Sequence, residues 1–174
     1  DDRIVYRAEG YGVLRVSTHA VEAALTGYDV ISDAFSFIID LDGHKFFVLT
    51  FPTEEKTWVF DLATNLWHER VTIINGLEKR WRANTHAAFA GKQLVGDYNN
   101  GKIYELSPTT YTEDGATIRR LVRGTTQWAD DARFTVDRLR LDIDAGVGLV
   151  NGQGSDPQIM MRFTETGTKR WSSE

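Results

Sequence analysis

Short runs of alternating apolar and polar residues predict strands along most of the chain, and helical periodicity is almost absent. Residues 34–39 and 45–51 are aromatic and β-branched, and the Asp42-Gly43 pair between them is typical of a hairpin turn. Residues 57–61 and 66–70 continue the meander after further turns. Four consecutive antiparallel strands in so short a stretch have the size of one propeller blade.

One short segment, residues 18–25, predicts a helix. Thr18 is a typical N-cap, and Glu22 suits the first turns because an acidic side chain is favourable near a helix N-terminus. The apolar residues expected to face inward are Val21, Ala24 and Leu25.

A second, looser copy of the meander follows the first at a spacing of close to 48 residues. Residues 43–49 and 57–62 can be aligned with residues 91–97 and 101–106, and each copy opens after a glycine and ends on an aromatic-acid-leucine sequence. A repeat of this length indicates blades or an array. Beyond residue 131 the strands become longer, and a glycine-rich stretch at residues 146–157 separates two of them.

We therefore predict an all-β protein of antiparallel four-stranded blades, a β-propeller-like partial propeller that closes with a long β-hairpin. The prediction is one β domain over residues 1–174, with a first blade at 10–72, a second blade at 81–125 and the closing hairpin at 131–174. The methionines are confined to Met160 and Met161, so we expect the chain to be a piece of a longer polypeptide.

Composition narrows the function classes. The absence of cysteine excludes disulfides, thiolate-ligated metals and a thiol nucleophile. No apolar run approaches the roughly 20 residues needed to span a bilayer, so we expect a soluble protein with no membrane partner. The formal charge is -5, and residues 1–60 hold all of it.

The most distinctive motif is the aromatic stretch at residues 58–70, which resembles a kelch-type blade ending. Trp58, Asp61 and Trp67 are its predicted structural blade residues. Because blades splay from an axis, we expect the two tryptophans to fill the space between neighbouring blades. The functional alternative is that their rings form a platform on which a ligand stacks.

No metal, cofactor or catalytic site is predicted. The four histidines are too far apart in sequence to form a local ligand pair. Asp142 and Asp144 begin a calcium-loop pattern, but the later ligands are missing, so we interpret these carboxylates as solvent-facing strand positions. Residues 164–171 resemble a degraded Asp-box turn, in which Trp171 is a fourth structural residue.

Four stretches, at residues 15–22, 47–53, 57–70 and 146–171, together resemble the packaged-DNA stabilisation proteins of short-tailed bacteriophages. The resemblance implies a tail hub or nozzle protein, located in the virion tail and, during assembly, in the host cytoplasm. The implied partners are the portal and adaptor ring, the tail needle or tail fibre proteins, and further copies of the chain in a ring. The family offers no catalytic residues or cofactors to carry over.

Two function hypotheses remain. The first is a structural virion protein that acts by assembly and helps to retain packaged DNA; the alternative is a kelch- or sialidase-like propeller enzyme or glycan-binding module. Acidic residues interleave the arginine-rich stretch at residues 119–140, which favours ion pairs over a nucleic-acid-binding stripe. We therefore expect no tight specific DNA binding, and DNA retention by a mechanical plug.

Overall fold

The computed structural model describes residues 2–127, 129–130, 132, 134–142, 159–164 and 171–172. The chain divides into two compact units, Asp1–Ile118 and Arg119–Glu174. Every strand and helix assigned in the described residues lies in the first unit. No helix within the described part of the chain has the length and apolar character to cross a membrane.

The first unit begins with a hairpin and the predicted helix. Strands β1 (Tyr6–Glu9) and β2 (Gly12–Arg15) pair antiparallel, and α1 spans His19–Thr26. The side chain of Thr18 accepts a hydrogen bond from the Val21 amide, so the predicted N-cap is confirmed. At the other end, Arg3 Nη1 donates to the carbonyl oxygens of Leu25 and Tyr28, each at 2.6 Å.

The first sheet is the predicted four-stranded meander. Its strands are β3 (Phe35–Leu41), β4 (His44–Phe51), β5 (Lys56–Asp61) and β6 (Leu66–Glu69), in the order β3-β4-β5-β6 with every neighbouring pair antiparallel. The turn between β3 and β4 has φ angles of 52° at Asp42 and 78° at Gly43. Asp and Gly tolerate this left-handed conformation, which explains why this dipeptide marks the hairpin.

The second sheet confirms the repeat. After a separate hairpin of β7 (Val71–Ile74) and β8 (Leu77–Arg80), strands β9 (Ala83–Phe89), β10 (Lys92–Asp97) and β11 (Ile103–Leu106) form an antiparallel sheet in the order β9-β10-β11. Strands β4 and β10 begin 48 residues apart, at His44 and Lys92. The fold class is therefore an all-β, propeller-like arrangement.

The second sheet differs from the prediction in having three strands in the described residues. After a turn at Pro108, the chain forms a small hairpin of β12 (Thr112–Glu113) and β13 (Ala116–Thr117) instead of pairing with β11. Asp114 at the tip of this hairpin accepts hydrogen bonds from Lys102 Nζ (2.8 Å) and Arg82 Nη1 (3.2 Å). These ion pairs hold the hairpin at the point where a fourth strand would begin.

Both faces of the first sheet carry buried residues. One face carries Ile39, Val48 and Val59, which are fully buried and pack with three residues of the second repeat, namely Trp81, Ala83 and Val95. We call these six residues the inter-sheet core. The other face packs Phe51 against Val21 and Leu25 of α1, and we call these three residues the helix-side core. Because β4 contributes to both cores, its sequence is nearly continuously apolar.

The predicted closing hairpin at 131–174 falls mostly on residues that the structure does not describe. Asp144, the loop at 146–157 and most of the Asp-box-like stretch at 164–171 lie outside the described residues. Within the described residues of this range no strand is assigned, but the Ser172 amide donates to the Phe163 carbonyl at 2.9 Å. The hairpin and the boundaries of the two blades therefore stay predictions.

Candidate functional site

Asp61 organises the turn between β5 and β6. Its side chain is buried and accepts hydrogen bonds from the Ala63 amide (2.9 Å), the Thr64 hydroxyl (2.8 Å) and the His44 ring (2.8 Å). Burial alone would raise the pKa of Asp61, but these hydrogen bonds together hold the pKa below its usual value. The role of this carboxylate is therefore to stabilise the turn.

Trp58 and Trp67 lie on the helix-side face of the first sheet, which differs from the predicted place between blades. Trp58 Nε1 donates to the Tyr28 hydroxyl at 2.9 Å, and Trp67 Nε1 donates to the Val16 carbonyl at 2.7 Å. Both rings are partly buried against the helix-side core. The reason is strand alternation. Val59 faces the second sheet, so the residue before it in β5, Trp58, must face the opposite side.

Trp81 occupies the inter-sheet position that sequence reasoning assigned to those tryptophans. It is 7% exposed, and its amide donates to the Thr57 hydroxyl at 3.2 Å. It lies between Arg80 and Arg82, which are also buried. The sequence gives no signal of this burial, because charged residues flank Trp81 on both sides.

Arg82 is the centre of an ion-pair network that joins the second sheet to the β12–β13 hairpin. Its Nη1 lies 3.0 Å from Asp97 and 3.2 Å from Asp114, and its Nε lies 3.8 Å from Glu113. Burial alone would lower the pKa of Arg82, but the carboxylates raise it. The hydrogen bond from Lys102 is the largest of the causes that lower the pKa of Asp114 to about 2. This network is a structural clasp between segments distant in sequence.

A second polar cluster lies at the edge of the first sheet, around Phe46. The His44 ring stacks on Phe46 at 5.6 Å, and His68 meets the same ring edge-on at 6.2 Å. Arg70 lies over the rings of Phe46 and Trp81, with its guanidinium carbon 5.1 Å and 4.7 Å from their centroids. Burial lowers the pKa of His68, and the neighbouring Arg70 charge lowers it further.

The remaining candidate residues do not come together. Asp142 is exposed, and no group of three or more histidine or carboxylate side chains among the described residues could hold a metal ion. Trp171 is 40% exposed and lies 5.0 Å from the Arg123 guanidinium. The closest described histidine–carboxylate contact, His44 with Asp61, holds a turn.

These features define a class: stacked antiparallel blades with structural polar clasps, as in a β-propeller. A family model described as bacteriophage P22 Gp10, beta-propeller, matches residues 2–111, which is more than half of the chain. The chain therefore belongs to this phage stabilisation family, and it is a phage DNA-stabilisation structural protein of the virion. A search of curated proteins finds no match to the chain.

The family match supports one of the two function hypotheses. It agrees with the resemblance that the four sequence stretches carry, and it favours a structural protein over the kelch- or sialidase-like alternative. The first three of those stretches lie within the matched residues.

Proposed function

We propose that this protein acts as a tail hub or nozzle component that docks beneath the portal and adaptor ring after genome packaging. In this role it assembles with further copies of itself as a ring and offers a surface to the tail needle or tail fibre proteins. Its action is assembly and not catalysis, and packaged DNA is retained because the assembled ring closes the exit channel.

The observation that carries the proposal is an exposed apolar face on the second sheet. The strand registers make Ile103 the counterpart of Val59, and Phe89 the counterpart of Leu41. Val59 is fully buried in the inter-sheet core, whereas Ile103 and Phe89 are 73% and 69% exposed. An apolar sheet face of this kind is typical of a surface that another protein covers.

The β1–β2 hairpin is a second exposed apolar surface. Tyr11 at its tip is fully exposed, and Val13 is 71% exposed. An isolated two-stranded hairpin gains little stability from its own contacts, which favours a role in contacts with another molecule. Two separate apolar surfaces suit a hub that contacts more than one partner.

The charge distribution supports retention by a plug. The chain has a formal charge of -5, and several arginines and lysines of the first unit already contact carboxylates, as Arg15 does with Glu22 and Lys102 with Asp114. Gripping a duplex requires cations placed against phosphates. A neutral or acidic surface instead lets DNA pass without sticking during ejection.

The experiment is a docking assay with the portal–adaptor assembly of the phage that encodes the chain. The native chain should co-sediment with that assembly, and Ile103→Asp should abolish co-sedimentation because it places a charge on the apolar face. Ile38→Asp, at a residue that is 55% exposed on the first sheet, is the matched control and should dock normally. Failure of the folded native chain to dock would overturn the proposal.

A further inference from the structure

Arg70 is held in a fixed place at the edge of the first sheet. Its amide donates to the Thr57 carbonyl at 2.9 Å, and its Nε donates to His68 Nε2 at 3.3 Å. The guanidinium lies over the Phe46 and Trp81 rings at the distances given above. A guanidinium supported by ring faces loses little conformational freedom when it binds an additional group.

Arg70 differs from Arg15 and Arg82 in its charge pairing. Those two arginines pair with Glu22 and with Asp97, whereas Arg70 has no carboxylate at salt-bridge distance among the described residues. Burial lowers its pKa to about 10, which still leaves the group charged at neutral pH. Within the part of the chain that the structure describes, its terminal nitrogens make no hydrogen bond and are not buried, so they reach solvent.

The chemistry of the free group favours an anion with two acceptor oxygens. The guanidinium presents N–H donors in one plane, and this geometry matches the oxygens of a carboxylate or of a phosphate group. A duplex would need a row of cations, but Lys56 lies on the opposite face of the same sheet, with Trp58, and is paired with Glu69 at 2.6 Å. A single cation without such a row favours a singly charged carboxylate. The site therefore suits one anionic group flanked by apolar rings.

We propose that Arg70 is a recognition point for a single carboxylate on an acidic segment of a partner protein, with Phe46 and Trp81 as its supporting rings. The carboxylate would accept two parallel N–H···O bonds from Arg70 while its chain contacts the ring edges. The inference goes beyond the proposed docking role and stands on the surroundings of Arg70 alone. It holds whether or not Ile103 lies in a docking surface.

The test is an NMR titration of the intact chain, which follows the arginine Nε–H signals while sodium acetate replaces sodium chloride at constant ionic strength. The Arg70 signal should shift and saturate at an acetate concentration about tenfold lower than that for Arg7, as one charge-assisted hydrogen bond corresponds to roughly that factor. Arg7 is the internal control because its side chain is 41% exposed and lies 3.6 Å from Glu9.

Two results would overturn the proposal. One is an Arg70 signal that responds to acetate no more than the Arg7 signal does. The other is saturation by a short DNA duplex well below the acetate concentration, which would assign the site to a nucleic acid. In the native chain the ring signals of His68, which contacts Arg70, should also shift with acetate. Arg70→Lys keeps the charge but loses the planar fork, so its spectrum should stay dispersed while this shift of the His68 signals disappears. The native chain gives the answer even if this variant does not fold.

Discussion

At the residue scale, the partly buried tryptophans on the helix side carry much of the packing. Trp67 lies 5.0 Å from Phe60, ring centre to ring centre, and its indole N–H satisfies the Val16 carbonyl. Each ring thus packs against apolar residues and donates one hydrogen bond to a residue that lies outside the sheet and is distant in sequence. Trp67 links the first sheet to the segment that precedes α1.

Trp67→Ala should lower the free energy of unfolding by about 3 kcal/mol, at the lower end for large aromatic truncations because the ring is only partly buried. Trp67→Phe keeps an aromatic ring and loses the hydrogen bond, so it should cost about 1 kcal/mol. Urea denaturation of both variants checks the prediction. Equal stability of Trp67→Ala and the native chain would contradict the assigned packing.

Asp114 provides a pH test. Its pKa in the folded chain is about 2, chiefly because Lys102 and then Tyr104 donate hydrogen bonds to it. A lowered folded pKa means that the carboxylate stabilises the fold above its ordinary pKa of about 4 and that this contribution disappears as the pH falls to about 2. Asp114→Asn should therefore have a lower melting temperature than the native chain at about pH 6, and the melting temperatures of the two proteins should converge near pH 2. Melting curves that stay equally separated across this range would contradict the clasp.

At the element scale, the pairing of β9 and β10 depends on a close approach at Gly96. A Cβ atom at this position would lie 2.5 Å from Thr85 Oγ1, closer than non-bonded atoms allow. The register between these strands also shifts between Gly96 and Asp97. Glycine is therefore required by the facing side chain, and not by a left-handed backbone.

Gly96→Ala should destabilise the chain by about 1 to 3 kcal/mol, as overpacking of a tight site does. Thr85→Ala removes the hydroxyl that causes the clash, so Gly96→Ala in that background should be neutral or stabilising. Thermal unfolding of the two single variants and the double variant measures the coupling. Additive effects would show that Thr85 is not the cause.

The sequence predicts the structure best where local signals determine the element. The Asp42-Gly43 turn and the Thr18 cap each specify backbone geometry over a few residues, and both are present in the structure. Side-chain partners are harder to predict, because alternation separates the two faces of a strand but does not determine which face packs against which neighbour. The place of Trp58 and the burial of Trp81 depend on sheet packing, which the local sequence does not encode.

At the scale of the whole molecule, calcium binding at Asp142 and Asp144 would raise the stability of the protein. The calcium-loop pattern lacks its later ligands, so we predict that calcium leaves the melting temperature unchanged. A metal that binds the native state at 100 times its dissociation constant would stabilise it by about 2.7 kcal/mol. A thermal-shift assay with calcium and with magnesium as the control would reveal such an ion.

The central claim is that the protein retains DNA by assembling at the tail and not by gripping the duplex. Fluorescence anisotropy of a labelled duplex with the purified chain tests this claim most directly. At physiological salt we predict a dissociation constant no tighter than the non-specific range of roughly 10⁻⁴ to 10⁻⁶ M. Nanomolar binding that weakens steeply between about 50 and 200 mM salt would show a basic DNA-binding face and would contradict the account.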